Sequence, residues 1–317
     1  MQANTKTNTK VKIKKNKDLT QDVPFLVKAI SYVLTTAFSA LCVIPLLLTI
    51  SISFTEEKSL ALDGFHFWPK VFSLKSYEYI IENGSMVWQA YGVTILVTIV
   101  GTIITLLVTS MFAYAISRRS FPWGYGLSFF AYFTTLFSGG MVSSYIINTT
   151  VYGLRDNPLI LVLSGAIGAM NILIVRTYMR TSVPDSVIES AKIDGAGEFL
   201  CFWKIVIPMS VPVLATIGLM RAVGLWNDWN TSYLYLPTND AWAPLQLVLK
   251  KIEKNVEYLA SQSQYLTQEE RDKMMAEMPS DGFRMALTVM VAMPLVIAYP
   301  FFQKYFAKGL TVGAVKG

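Results

Sequence analysis

The sequence predicts an all-α membrane protein in which six apolar helices cross the bilayer. Of its 317 residues 53% are hydrophobic and only 15% charged, with a mean hydropathy of +0.44, a balance outside the range of soluble domains. Apolar runs long enough to cross about 30 Å of hydrocarbon recur along the chain. Between two of them lies a polar, amphipathic segment, 182–208, unlike anything else in the sequence.

In chain order, the first seventeen residues carry Lys6, Lys10, Lys12, Lys14, Lys15 and Lys17 without the glycine or aromatic interleaving of a stacking platform. The net charge of +6 therefore does not point to nucleic acid. Residues 1–28 read as a solvated cytoplasmic tail that can meet anionic membrane lipid. The predicted spans are 30–53, 91–117, 125–147, 159–178, 209–226 and 283–306. The first exceeds a secretory signal core and is followed by no small-residue cleavage site, so it reads as a retained anchor. Arg118, Arg119, Arg176, Arg180, Lys192, Lys204, Lys304, Lys308 and Lys316 alternate with the spans so as to share one side with the lysine tail. The segment 55–88, with Glu56, Glu57, Asp63, Glu78 and Glu82, takes the other. Both termini are expected in the cytoplasm, with 29–308 as the membrane domain and 309–317 as a cytoplasmic tail. Cys42 and Cys201 are poorly placed for a disulfide and read as reduced.

The external segment 227–281 is long for a connection. Leu245, Leu247, Leu249, Ile252, Val256 and Leu259 mark a helical apolar stripe, and Thr267 to Glu270 opens a second helix through Met278 that Pro279, Ser280 and Asp281 end. This is a helical cap that either meets a partner or roofs a pathway, or else a solvated loop.

Within 182–208, Ser182 and Asp185 have the spacing of a capping box with Pro184 in the first turn, predicting a helix to Ile193. Gly195 and Gly197 then permit a bend. Phe199, Phe202, Trp203, Ile205 and Val206 form the apolar face of a second short helix that Pro208 is expected to stop.

Several chemistries lack their residues. The sequence contains no GxxxxGK[ST] phosphate loop, no HExxH or paired CxxC metal spacing and no GxSxG nucleophile. The single histidine, His66, stands in a loop among Phe65, Phe67 and Trp68 and reads as a polar loop residue. No enzymatic activity, metal or cofactor is expected of the chain itself. Ion-coupled secondary transport needs intramembrane carboxylates, and the six runs contain no Asp or Glu in their interiors. Arg221, the charge deepest in a span, either snorkels or pairs with another subunit.

Candidate substrate contacts are Trp226, Asn227, Asp228, Trp229 and Asn230, followed by Tyr233 and Tyr235. Aromatic faces stack on pyranose rings while amides and carboxylates bond their hydroxyls, although the same residue types populate the aromatic belt of any membrane interface. Asn171, midway along the fourth run, faces either another helix or the pathway. Ser138, Gly139, Gly140 and Met141 interrupt the third run, where small residues permit close approach or an irregularity.

The pattern Glu189, Ser190, Ala191, then Asp194-Gly195-Ala196, Phe202 and Ile207-Pro208 resembles the EAA loop of ABC importer permeases, with Ser190 where many members have a second alanine. Phe137 to Gly140 and the end Lys308-Gly309-Leu310-Thr311, Gly313-Ala314-Val315-Lys316-Gly317 are similar to sugar-type members, above all to permeases of Gram-positive oligosaccharide and polysaccharide systems. The resemblance implies the type I importer fold, with a coupling helix over 183–194 that docks on a separate ATPase. It also implies a second permease subunit, two ATPases that bind the ATP, an extracellular solute-binding lipoprotein and a carbohydrate substrate. Glu189, Ser190, Ala191, Asp194, Gly195, Ala196 and Pro208 are the coupling residues on this reading. An amino-acid or peptide importer would keep the elbow but present charged groups to its ligand. An exporter would lack the glycine elbow.

Overall fold

The computed structural model describes residues 24–262 and 281–314, and its contacts divide the chain into two compact units, 1–48 and 49–317. The lysine tail, the helix expected from Thr267 and the last three residues lie outside the described residues. Among the described residues the chain is helical without strands, the one β contact being an isolated bridge between Thr55 and Phe72.

The described part of the first unit lies in helix α1 (Phe25–Ser53), whose large apolar side chains from Phe25 to Leu47 are exposed, as is Cys42. In the second unit come α2 (Glu57–Asp63), α3 (Lys75–Asn83), α4 (Ser85–Ser117), α5 (Gly124–Leu136) and α6 (Gly140–Ile146). These lead to α7 (Leu159–Leu163), α8 (Ala169–Ser182), α9 (Asp185–Ile193), α10 (Glu198–Cys201), α11 (Ile207–Trp226), α12 (Asn230–Tyr235), α13 (Leu245–Gln262) and α14 (Asp281–Ala314).

Helices α4 and α11 are the axis of this unit. They approach closely because each has a glycine where the other has a leucine. A Cβ on Gly101 would lie 2.6 Å from Leu225, and one on Gly218 would lie 3.1 Å from Leu106. Small residues at such crossings let helices gain dispersion contacts that lipid cannot supply. Along α4, Thr94 receives the Leu245 backbone N–H at 2.9 Å, whereas the buried hydroxyls of Thr98, Thr102, Thr105 and Thr109 have no hydrogen-bond partner. The predicted uniform apolar span thus carries an internal polar seam at helical spacing.

The spans depart from six uninterrupted helices. Four described helices are long and apolar enough to cross a membrane, ending with 281–300, and the pair Gly124–Leu136 and Gly140–Val151, bent by 117°, makes a fifth only if its two arms count as one span. The bend falls on Gly139 and Gly140, where Gly140 has φ +78°, a value that favours glycine. The run expected as the fourth span is divided between α7 and α8 by residues 164–168, with Gly165 at φ +66°.

Helix α14 contains Pro294, whose ring has no N–H and so leaves the carbonyl of Met290 without its helical donor. Tyr91 of α4 donates its hydroxyl to that carbonyl, and Trp226 of α11 donates its indole N–H to the next carbonyl, Val291, at 3.0 Å. The first turns of α13 bury Leu245, Leu247, Val248 and Leu249 with Ile80, Val87, Ala286, Leu287 and Val291. The start of the apolar stripe is therefore anchored in the core.

Candidate functional site

The glycine elbow of 182–208 forms as a stop, a turn and a restart. Helix α9 begins later than its sequence suggests. Ser182 ends α8, Val183 and Pro184 are extended, and no side chain caps α9, so the capping box does not form. Proline disfavours helical φ and ψ in the residue before it, which breaks the helix at Val183. At its C-terminal end α9 closes in a Schellman turn: Gly195 takes φ +89° and donates to Lys192 O at 3.0 Å, while Ala196 N donates to Ala191 O at 2.9 Å.

Gly197, at φ −75°, then starts α10. The second helix does not stop at Pro208. Residues Phe202–Val206 form a π turn in which Ile207 N reaches Phe202 O, and α11 continues through Pro208 in its first turn. The wider turn and the position near a helix start let the ring stand inside a continuous helix.

The elbow has an inner and an outer face. Ile188, Cys201, Phe202 and Val206 are buried against Tyr114, Ile116, Ile172, Val175 and Met179, with Ala191 and Ala196 partly buried beside them. Of the residues read as one apolar face, Phe199 and Trp203 are exposed, apart from the buried Phe202 and Val206, and pack edge to face on each other at 6.2 Å. The continuous helix turns them outward with Ile193, which is 86% exposed, and Val187 and Leu200. Glu189, Ser190, Asp194 and Gly195 are also on the exposed side.

Two polar braces fix the elbow to the bundle and a third joins α4 to α8 beside it, and sequence reasoning missed all three. Glu198 accepts from Lys192 with one oxygen and from the Tyr114 hydroxyl, at 2.6 Å, with the other, so a single carboxylate ties both arms to α4. Asp185, the first residue of α9, lies 3.3 Å from Arg118 and 3.4 Å from Arg119. Arg176 donates to Ile116 O at 3.3 Å. The legible signal was an acid in the first turn of each short helix, Asp185 and Glu198. Tyr114→Phe should lower the stability of the assembled protein by about 1.5 kcal/mol, the low end for a hydrogen bond to a charged partner because Glu198 is half-exposed, as read by denaturant or thermal unfolding. A Phe variant as stable as the parent would remove Glu198 from the bracing.

The other candidate residues are distributed differently from their order in sequence. Trp226 is buried, its ring against Tyr91 at 6.4 Å and its N–H used by Val291, so it presents no free stacking face. Asn227 bonds Val223 O and receives Gln246, and Asp228 caps the backbone and hydroxyl of Thr231 at 3.0 and 2.5 Å. Trp229 is half-buried, edge-on to Tyr233, with Lys250 and Lys254 each 6.0 Å from its ring. Asn230 is exposed at the start of α12. Asn171 stands in the first turn of α8 just past the break, rather than midway along a span.

Two pockets lie near this region. One of about 530 Å³ is lined by Met141, Tyr145, Tyr233, Leu236 and Lys251. One of about 540 Å³ is lined by Ser144, Asn148, Tyr152, Ser164, Gly165 and Tyr235. Behind the second, Arg221 donates to Ser164 O at 2.6 Å and Val162 O at 3.4 Å, holding carbonyls that the break between α7 and α8 leaves open. Its partner is backbone, which sequence could not disclose.

Comparison with known proteins agrees with this architecture. Residues 123–312 match the family described as binding-protein-dependent transport system inner membrane component. The protein LplC of Bacillus subtilis (strain 168) is 36% identical over 278 residues, covering 88% of this chain and 90% of that one. The polygalacturonan/rhamnogalacturonan transport system permease protein YtcP of the same organism is 35% identical over 286 residues, covering 88% and 94%. A crystal structure of a bacterial ABC transporter involved in the import of the acidic polysaccharide alginate contains a chain with TM-score 0.78 and 27% identity, covering 90% of this chain and 100% of that chain. The fold is thus that of a type I ABC importer permease, a non-enzymatic subunit of an assembly that includes a partner permease, an ATPase and a solute-binding protein. With its helical bundle, its elbow and these relatives in agreement, the chain belongs to the binding-protein-dependent transport system inner membrane components, the permease subunits of ABC transporters.

Proposed function

We propose that the chain carries an oligosaccharide across the cytoplasmic membrane as one half of a permease pair, driven by two separate ATPase subunits and fed by an extracellular binding lipoprotein. The observation that carries the coupling assignment is the elbow's division into a braced inner face and an exposed apolar outer face of Val187, Ile193, Phe199 and Leu200. Such a rigid surface suits a cleft on a second protein. ATP-driven closure of the ATPase pair would carry 183–194 with it and, through α10 and α11, rotate the bundle between inward- and outward-facing states. Glu189, Ser190, Ala191, Asp194, Gly195, Ala196 and Pro208 are assigned to this transfer of movement.

The domain limits 1–28, 29–308 and 309–317 and a cytoplasmic position for both termini belong to the same reading, as does a Gram-positive host. Support for a sugar rather than an amino acid or peptide comes from the tyrosines Tyr145, Tyr152, Tyr233 and Tyr235 on the two pockets and from relatives named for polysaccharide transport. Asn171 and Trp226 to Asn230 remain assigned to the pathway region, with Trp229 as the stacking group and Trp226 as its support.

Two measurements test this. Ile193→Cys, in a chain with Cys42→Ser, should crosslink to the ATPase, while a cysteine at Leu62, exposed on α2, should not. In proteoliposomes, uptake of an oligogalacturonide should require ATP and the binding protein. Uptake driven by a proton or sodium gradient without ATP, or a crosslink from Leu62→Cys in place of Ile193→Cys, would overturn the reading.

A further inference from the structure

Four guanidinium groups line one pocket of about 400 Å³ at the elbow end of the bundle: Arg118 and Arg119 at the end of α4, and Arg176 and Arg180 on α8. Asp185 is the carboxylate that meets them, at 3.3 Å from Arg118 and 3.4 Å from Arg119. Arg176 bonds the Ile116 carbonyl and Arg180 lies over the Tyr125 ring at 6.0 Å, and neither partner carries a full charge. Among the described residues no carboxylate pairs with Arg176 or Arg180. The Arg118 side chain is 10% exposed, and its buried Nε has no hydrogen-bond partner. The pocket wall also includes Gly124, where the 13-residue helix α5 begins and presents the positive end of its backbone dipole.

Four positive charges line the pocket and, among the described residues, Asp185 is their one ion-pair partner; Glu198, which also feels Arg118, is already paired with Lys192. Guanidinium does not lose its proton in proteins, so the repulsion cannot be relieved by titration. Within a partly enclosed pocket an anion relieves it, and the planar fork of arginine matches the paired oxygens of a carboxylate or a phosphate, of which phosphate is the group carried at a membrane surface. Tyr125 of the pocket wall and Trp123, just before α5, are 77% and 68% exposed, the exposure aromatic rings have at headgroup level.

The geometry points to a binding site for a phosphate-ester anion between α4, α5 and α8, with Arg118, Arg176 and Arg180 as its donors. The chemistry is shared by an anionic phospholipid headgroup and a free phosphate. Because Arg118 also holds Asp185 at the start of α9, an occupant adjusts the seat of the elbow whichever solute is carried.

The test uses the assembled importer in nanodiscs, with thermal unfolding as the readout. Wild type is compared in phosphatidylcholine alone, in phosphatidylcholine with millimolar inorganic phosphate, and in discs containing phosphatidylglycerol. A rise in Tm with phosphatidylglycerol only identifies a lipid headgroup, and a rise with phosphate in neutral discs identifies a free anion. In either case the Arg176→Gln/Arg180→Gln variant should lose the rise and hold about thirtyfold less of the bound species in native mass spectrometry, the affinity that two cations near the surface contribute. Should that variant fail to assemble, Arg180→Gln alone serves, since it leaves the Arg176 bond intact. No rise in either condition, or a rise of equal size in the variant, overturns the site.

Discussion

Gly195→Val should lower solute uptake by the assembled importer about tenfold while ATP hydrolysis continues without responding to the binding protein. At φ +89° the glycine occupies a backbone region that a β-branched residue tolerates badly, and nothing lies within 4 Å of a Cβ placed there. The cost is therefore conformational rather than steric, about 1–2 kcal/mol in the turn itself. That is enough to shift the elbow about tenfold between its Schellman geometry and a reopened one. The bonds at stake are those from Gly195 to Lys192 and from Ala196 to Ala191. Gly197→Ala is the matched control. Its φ is −75° and its surroundings are equally open, so uptake should stay within about twofold of the parent, the ordinary range for a strain-free surface change. Equal uptake from Gly195→Val and Gly197→Ala would remove the turn from the coupling assignment.

Arg221→Met should destabilise the bundle by about 2–4 kcal/mol, the range for losing two charge-assisted hydrogen bonds whose acceptors stay buried, and should reduce uptake with it. The carbonyls of Val162 and Ser164 belong to a chain break that no helical N–H completes. Gly165 stands where a Cβ would lie 3.0 Å from the guanidinium, so the break and the arginine fit as a unit. Arg221→Lys keeps the charge but presents a compact ammonium in place of a fork, and should recover part of the loss. Unchanged unfolding of Arg221→Met would show that the break holds itself.

Much of the architecture was legible because it rests on local rules. Gly195 reads as a helix end from sequence because few other residues accept its φ, and the apolar stripe from Leu245 reads as helix because its spacing is that of a buried face. The features that escaped depend on backbone or on distant partners. Pro184 outweighed the Ser182 and Asp185 spacing because the steric effect of proline on its predecessor precedes any side-chain cap. Pro208 passed into α11 because the π turn before it relaxes the hydrogen-bond ladder, and a pattern of residue types does not display that ladder. The division at Gly165 was hidden by the hydropathy of its flanks, and Arg221 could be recognised as its support only once the carbonyls it serves were located. Trp226 carried the composition of a sugar platform, yet its indole is consumed inside the bundle.

That consumption has a consequence for assembly. The carbonyls of Met290 and Val291 near Pro294 are completed by Tyr91 and Trp226, side chains contributed from 199 and 65 residues earlier in the chain. The final membrane segment therefore cannot reach its finished state by itself as it leaves the ribosome; the two earlier helices must already stand side by side to receive it. Closure of the described bundle therefore waits on the docking of 281–314, and a chain truncated before residue 281 deprives the Tyr91 hydroxyl and the Trp226 indole of these acceptors.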